Sequence, residues 1–450
     1  MERIRLENFR CYADQSIKFK SGINLLVGDN GSGKTSIIKA CKYVLSSFFA
    51  GFSNEHTRWE QFKSIDFKSD LYDGSITALK PIKVTFGFDT LLAGGSEPTV
   101  RTSTSIASAS ITIASEQNLF QSSPKKKGVL LSGIKEFKAE SARLMTYEDE
   151  GGKRTKALPL YAYFDSTNQR SNSIKIDLFK KYYHLPSFGY SDCLTGDNKF
   201  NNWIKRLLVL EEGKKNLDDV QIVRAALIDA LGENGCNIIN DMFVRYNQSK
   251  VYYKFIDGRE VESEQLSDGY RRVVNFVTDI AFRCALLNRT MFGINACRET
   301  FGTVLIDEID LHLHPTLQST ILKGLHNAFP NIQFIVTSHA PMVMSSVESN
   351  ETNVVYKLGY DSENGYSINE VVTYGMDLSD ISEIILEQPP RNSKTNKKLI
   401  DLFELIDDNK KEEAWTLLNS MKSGAERHLP DLVEAEALLN FTIIDDETNN

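Results

Sequence analysis

The sequence predicts an α/β fold: a mostly parallel sheet flanked by helices, interrupted by a long mixed insertion and followed by a C-terminal helical extension. Three observations carry this. Ile23, Leu25, Leu26 and Val27 make a short apolar run, followed by a glycine-rich turn and a helical pattern from Thr35 to about Phe49. A second run, Val304-Leu305-Ile306, ends in two acidic residues, and a third, Phe334-Ile335-Val336, ends in Thr337-Ser338-His339. Polar clusters at the carboxyl ends of short apolar strands are what a parallel sheet with its chemistry on one edge requires.

The chain has 450 residues, 41% apolar and 25% charged, with Gly 27 and Pro 11. That length holds two large lobes and a substantial core, and the composition excludes collagen-like and wholly disordered classes. Lys plus Arg is 52 against Asp plus Glu at 60, a net charge of −8, which argues against a surface that coats nucleic acid nonspecifically. The six cysteines are scattered without a C-x-x-C pair, so neither a zinc ribbon nor a disulfide scaffold is expected, and a reducing compartment is. Residues 1–5 begin an alternating strand, and no run of 18 apolar residues occurs, so the expected location is cytoplasmic, with no membrane partner.

Residues 1–55 are expected to form the N-terminal lobe with the glycine loop. Residues 56–255 form the insertion, strand-rich at 80–165 and helical at 178–245. The stretch 93–127 is rich in Ser, Thr and Gly and carries a basic Lys125-Lys126-Lys127 tip. Trp203, Ile204, Leu207, Leu208 and Leu210 share one helical face. Residues 256–380 complete the lobed core, and 381–450 are helical. Leu399, Leu402, Phe403 and Ile406 form one stripe there, and Ala414, Trp415, Leu418 and Met421 the next. Pro430 opens a last helix carrying Val433, Ala437 and Leu438, and residues 445–450 are expected to be disordered.

Gly28-Asp29-Asn30-Gly31-Ser32-Gly33-Lys34-Thr35 fits G-x-x-x-x-G-K-[ST], with the strand before and the helix after that the chemistry needs. The glycines let backbone N–H groups turn inward around phosphates, Lys34 reaches the outer phosphate oxygens, and the Thr35 hydroxyl can ligate Mg²⁺. Asp307-Glu308 closes a strand, so Asp307 can hold the Mg²⁺ shell while Glu308 faces the water that attacks the γ-phosphate. Leu266-Ser267-Asp268-Gly269-Tyr270 precedes a helix whose apolar face is Val273, Val277, Ile280, Ala281 and Cys284. Ser and Gly at such a helix start suit an anion. His312 and His314 form an H-x-H. They lie in a connection into the helix that Pro315 starts, with no further Cys or His nearby, so no metal site is expected there.

This order of motifs resembles the ABC-type ATPase superfamily and implies an ATP- and Mg²⁺-dependent head. The nucleotide would lie on Asn30, Gly31, Ser32, Gly33, Lys34, Thr35 and Ser36, with Glu308, Lys34 and His339 as the catalytic set and Thr35 and Asp307 on Mg²⁺. The resemblance implies that Ser267 and Gly269 act on a nucleotide held by another subunit, so that ATP drives a head-to-tail dimer. It makes His339 the histidine that contacts the γ-phosphate and puts Asp310 on the dimer seam. Asp268 stands where transporters usually carry a second glycine. The long stretch between Thr35 and Leu266 is unlike a transporter subunit.

The opening, from Ile4 to Tyr12 and then Gly22-Ile23-Asn24, resembles the RecF, SMC and Rad50 branch, which places Arg10 near the nucleotide. No heptad run or C-x-x-C hook marks long coiled-coil arms. A narrower likeness rests on Leu158-Pro159-Leu160-Tyr161-Ala162-Tyr163-Phe164 leading to Arg170, on Gly189-Tyr190-Ser191-Asp192-Cys193-Leu194, and on Asp307 to Pro315. It extends to Thr337-Ser338-His339-Ala340-Pro341 and to the tail Leu429 to Ala437. Together these are similar to the PtuA family, the ATPases of Septu anti-phage systems, found also with some retrons. That implies an oligomer with an HNH nuclease partner of PtuB type, DNA or RNA being reached through the complex. In keeping with a separate nuclease, the residues after His339 lack the Glu plus D-x-D set of a two-metal nuclease site. The alternative is a RecF- or SMC-like DNA-binding repair ATPase without a dedicated nuclease, using Lys125–127 and Lys180-Lys181 as phosphate contacts.

Overall fold

The computed structural model describes residues 1–50, 66, 68, 71–72, 75–76, 82–87, 109–113, 129–132, 142, 144, 156–166, 186–196, 200–212, 217–389 and 391–448. The lysines at 125–127 and 180–181, and Arg170, lie outside them. The chain divides into two units, Met1–Met376 and Asp377–Asn450.

The first unit opens with β1 (Arg3–Phe9), β2 (Tyr12–Lys18) and β3 (Ile23–Val27), then helix α1 (Lys34–Ser46). Short strands follow: β4 (Leu71–Tyr72) with β5 (Ser75–Ile76), β6 (Ile82–Gly87), β7 (Ala109–Ile113) and β8 (Val129–Ser132). After β9 (Leu160–Phe164) come α2 (Phe200–Glu212) and α3 (Leu217–Leu231), then β10 (Ile239–Arg245), β11 (Lys250–Phe255) and β12 (Glu260–Glu262). The unit closes with α4 (Asp268–Phe292), β13 (Gly302–Ile306), α5 (Ile321–Ala328), β14 (Ile332–Thr337), β15 (Val354–Asp361) and β16 (Gly365–Val371).

The central sheet runs β16-β15-β3-β14-β13-β9. The five strands from β15 to β9 are parallel, and β16 returns antiparallel on β15. All residues of β3 and β14 are buried, the signature of strands covered on both faces. Leu25, Leu26 and Val27 are fully buried, each contributing about 1.5–3 kcal/mol over an exposed position. A second, antiparallel sheet runs β2-β1-β6-β7-β8. Because β3, β13 and β14 are adjacent and parallel, the glycine loop, Asp307-Glu308 and His339 emerge at one end of the sheet.

Helix α4 is the unit's long strut. Ser267 caps it, its hydroxyl accepting the Tyr270 N–H at 3.4 Å, and Gly293 ends it with φ of 53°. Val273, Val277, Ile280, Ala281 and Cys284 are all buried, the face read from sequence. Buried Arg283 holds Asp279 through Nε (2.7 Å) and Nη2 (3.2 Å) and donates to the Gly189 and Ser191 carbonyls. Trp203 Nε1 also donates to Asp279, at 2.6 Å. Asn288 brackets Leu158, accepting its N–H and donating to its carbonyl. The 158–164 and 189–194 motifs are thus pinned to this helix, and they carry packing.

Three expectations differ from the structure here. The helical stretch expected over 178–245 ends at Leu231 among the described residues, and Ile239–Arg245 is a strand of the sheet β10-β11-β12. Strand pairing with the alternating Lys250–Phe255 segment overrides its mixed local pattern. The second unit holds α6 (Ser393–Asp407), α7 (Lys411–Ser423) and α8 (Asp431–Thr448). Their core joins Leu399, Leu402, Ala414, Leu418 and Met421 to Leu432, Ala435 and Leu439. Val433, Ala437 and Leu438, taken as the last helix's apolar residues, are exposed, because the neighbouring stripe faces the other helices. The helix also continues to Thr448, past the expected end at 445.

Candidate nucleotide site

The turn after β3 is built on left-handed backbone, with φ of 96° at Gly33. A side chain there would meet the Tyr12 hydroxyl at 2.2 Å, and one at Gly28 would meet the Leu358 carbonyl at 2.1 Å, so both positions need glycine. Asp29, Asn30 and Gly31 stand exposed at the tip, while Ser32 and Lys34 are buried. Lys34 Nζ donates to the Gly28 and Asp29 carbonyls at 2.7 and 2.8 Å and to Ser32 Oγ at 3.3 Å. Burial pushes its pKa down to about 8, against the opposing pull of Asp29, Asp307, Glu308 and Asp310.

Thr337 organises the acidic pair. Its hydroxyl donates to Asp307 Oδ1 at 2.7 Å and accepts the Glu308 N–H at 2.7 Å. Burial raises the Asp307 carboxyl above its ordinary value, a shift opposed by hydrogen bonds from Thr337 and Thr35. Glu308 sits at φ of 53°, a conformation non-glycine residues adopt at a cost. Asp310 Oδ1 accepts the His339 N–H at 3.3 Å. Burial first, then the Lys34 charge, lowers the His339 pKa, so the ring stays neutral at pH 7.

Ser267 is exposed, whereas Gly269 is pressed against the loop after β13: a side chain there would meet the His312 carbonyl at 2.5 Å. The H-x-H does local work, His312 at φ of 64° and His314 accepting the Thr316 N–H as a helix cap. Arg10 is engaged with buried Asp66, with Nε at 2.8 Å and Nη2 at 2.7 Å, and Tyr43 holds the other carboxylate oxygen. Arg10 thus carries an ion pair inside the chain.

The structure therefore brings together Lys34, Thr35, Asp307, Glu308, Asp310 and His339, and leaves Ser267 facing outward. Three further residues join them that motif reading did not single out. Arg272, one turn into α4, donates to the Asp307 and Glu308 carbonyls at 3.2 and 2.8 Å. Asp165 follows β9, where Phe164 pairs with Ile306, so it stands level with Asp307 and acts electrostatically on it. Tyr12, beneath the loop, reaches the Ser32 carbonyl at 3.4 Å. A basic residue five positions after Ser267 was the one available signal; Asp165 and Tyr12 needed the strand register.

The donor set fits the groups the motifs imply. Thr35 and Asp307 offer oxygen ligands, the hard donors Mg²⁺ takes, and an open loop tip over a buried lysine suits a polyphosphate. No helix among the described residues is long and apolar enough to cross a membrane.

Residues 23–345 match the family model described as AAA domain, putative AbiEii toxin, Type IV TA system. The chain is 28% identical over 418 residues to the Retron Vc95 probable ATPase of Vibrio cholerae serotype O1 biovar El Tor, covering 80% of this chain and 74% of that protein. It is 31% identical over 195 residues to Septu protein PtuA of Bacillus mycoides, 38% of this chain but 26% of that one. A solved Smc head bound to the C-winged helix domain of ScpA covers 82% of this chain and 97% of its own, at 14% identity and a TM-score of 0.46. The chain belongs to the AAA domain family of the putative AbiEii toxin type and is a relative of the retron and Septu ATPases.

Proposed function

We propose that the chain is an ATP-hydrolysing, ABC-type ATPase of an anti-phage defence system. In this reading it dimerises through the nucleotide and controls a separate HNH nuclease of PtuB type. The observation that carries the ATPase reading is the convergence of Lys34, Asp307, Glu308 and His339 at the ends of β3, β13 and β14 beside an exposed glycine loop. Kinship with retron and Septu ATPases supports the defence role; the nuclease partner is what the likeness to the PtuA family implies.

In this reading the loop's N–H groups and the Lys34 cation bind the phosphates and orient the γ-phosphate toward Glu308. Mg²⁺, when held by Thr35 and Asp307, would neutralise phosphate charge. Glu308 orients a water and takes its proton at the carboxylate, its place fixed by the Thr337 hydroxyl and Arg272. Neutral His339 hydrogen-bonds the γ-phosphate. Ser267, exposed at the start of α4, meets the nucleotide of a second subunit, with Gly269 giving the helix start its close fit.

The test is affinity capture of the Glu308→Gln protein from its native host with ATP and Mg²⁺, with mass spectrometry and native mass for stoichiometry. A stoichiometric small HNH protein on a dimer or larger oligomer is expected. Capture of DNA and repair factors alone would overturn the nuclease-control reading.

A further inference from the structure

Asp307, Glu308 and His339 all lie on one side of the glycine loop. In the sheet order β16-β15-β3-β14-β13, His339 and Asp307 follow the strands on the β14 side of the loop, and β15 and β16 flank its other side. The hairpin of those two strands is docked on the loop's first residue, the Leu358 carbonyl filling the space beside Gly28. Its tip is fixed: Asp361 Oδ1 accepts the Glu363 and Asn364 N–H groups at 2.7 and 2.8 Å.

The hairpin presents an aromatic ladder there. Tyr12, seated against Gly33, meets Tyr366 edge-on at 5.4 Å, and Tyr366 meets Tyr360 at 4.8 Å. Tyr366 and Tyr360 are directly opposite in the strand register. Burial falls off along the ladder, from 1% exposure at Tyr12 to 63% at Tyr360. An aromatic ring left in water costs apolar hydration, and here it lies beside the loop on the side away from Asp307, Glu308 and His339.

We propose that Tyr360 and Tyr366 form the platform on which the base of the nucleotide stacks. The inference rests on the nucleotide reading above and adds to it the residues that hold the base. Stacking reads a π-face and no base edge, so the platform separates nucleotides from bare polyphosphate without choosing adenine over guanine.

The test is equilibrium binding of ATP and of inorganic triphosphate, both with Mg²⁺, to the full chain carrying Glu308→Gln to stop turnover. Tyr360→Ala and Tyr366→Ala are added singly, with Tyr360→Phe and Lys34→Ala as controls. Tyr360→Ala is expected to weaken ATP about ten-fold or more. Triphosphate affinity stays within about two-fold of the parent, since its contacts lie in the loop, and Tyr360→Phe restores ATP affinity. Unchanged ATP affinity in both alanine variants, or equal loss of both ligands, would overturn the platform while leaving the phosphate site standing. A parent that binds neither ligand, or binds ATP regardless of Lys34→Ala, would overturn the nucleotide reading and the platform with it.

Discussion

Glu308 holds its carboxylate on left-handed backbone, and that strain separates its chemical contribution from its structural one. Glu308→Gly relieves the backbone and Glu308→Ala does not, so thermal or urea unfolding should find the glycine variant more stable by about 1 kcal/mol. Both should lose turnover together. His339 offers a second test. Its folded-state pKa is lowered from 6.5, so the unfolded chain binds the proton more tightly. The stability tied to a neutral ring is fully present above about pH 6.5 and is lost as pH falls below it. His339→Gln should therefore flatten the decline in Tm between about pH 7 and pH 5. Lys34, Thr35, Asp307 and Glu308 were legible in the sequence because each sits at a fixed offset from a buried strand. Arg272, Asp165 and Tyr360 were not, since their places depend on which strands and helices become neighbours.

Helix α4 joins the packing of the first unit to its chemistry. Its Asp279–Arg283 pair is buried with Trp203, so removing one member leaves an uncompensated charge. Arg283→Ala should destabilise by about 3–5 kcal/mol in urea unfolding, and Arg283→Met combined with Asp279→Leu by less. Arg272 tests the helix's other end: Arg272→Ala should lower kcat well beyond any change in nucleotide affinity, because it holds the carbonyls of Asp307 and Glu308 rather than phosphate. Helix α4, with a strong single period, and β3, a continuous apolar run, were read correctly from sequence. The Ile239–Arg245 strand was not, because its partner supplies the alternation. In α8 two stripes one residue apart both satisfy helical spacing, and packing against α6 and α7 selects Leu432, Ala435 and Leu439.

At the scale of the molecule, the parallel sheet delivers three strand ends to one edge, and this topology makes the scattered motifs a single site. The second unit has its own buried core and exposes Ile400, Val433 and Leu438. If those helices dock the nuclease, removing residues 395–450 should abolish partner capture while ATP turnover continues. Capture that survives the deletion would contradict the docking role. The most direct measurement of the central claim is ATP binding and steady-state hydrolysis, with Mg²⁺, by the wild-type chain, Lys34→Ala and Glu308→Gln. Wild type should bind and turn over ATP, Lys34→Ala should not bind it, and Glu308→Gln should bind it with turnover reduced about 100-fold or more. Wild-type turnover by Glu308→Gln, or ATP binding that survives Lys34→Ala, would contradict the account.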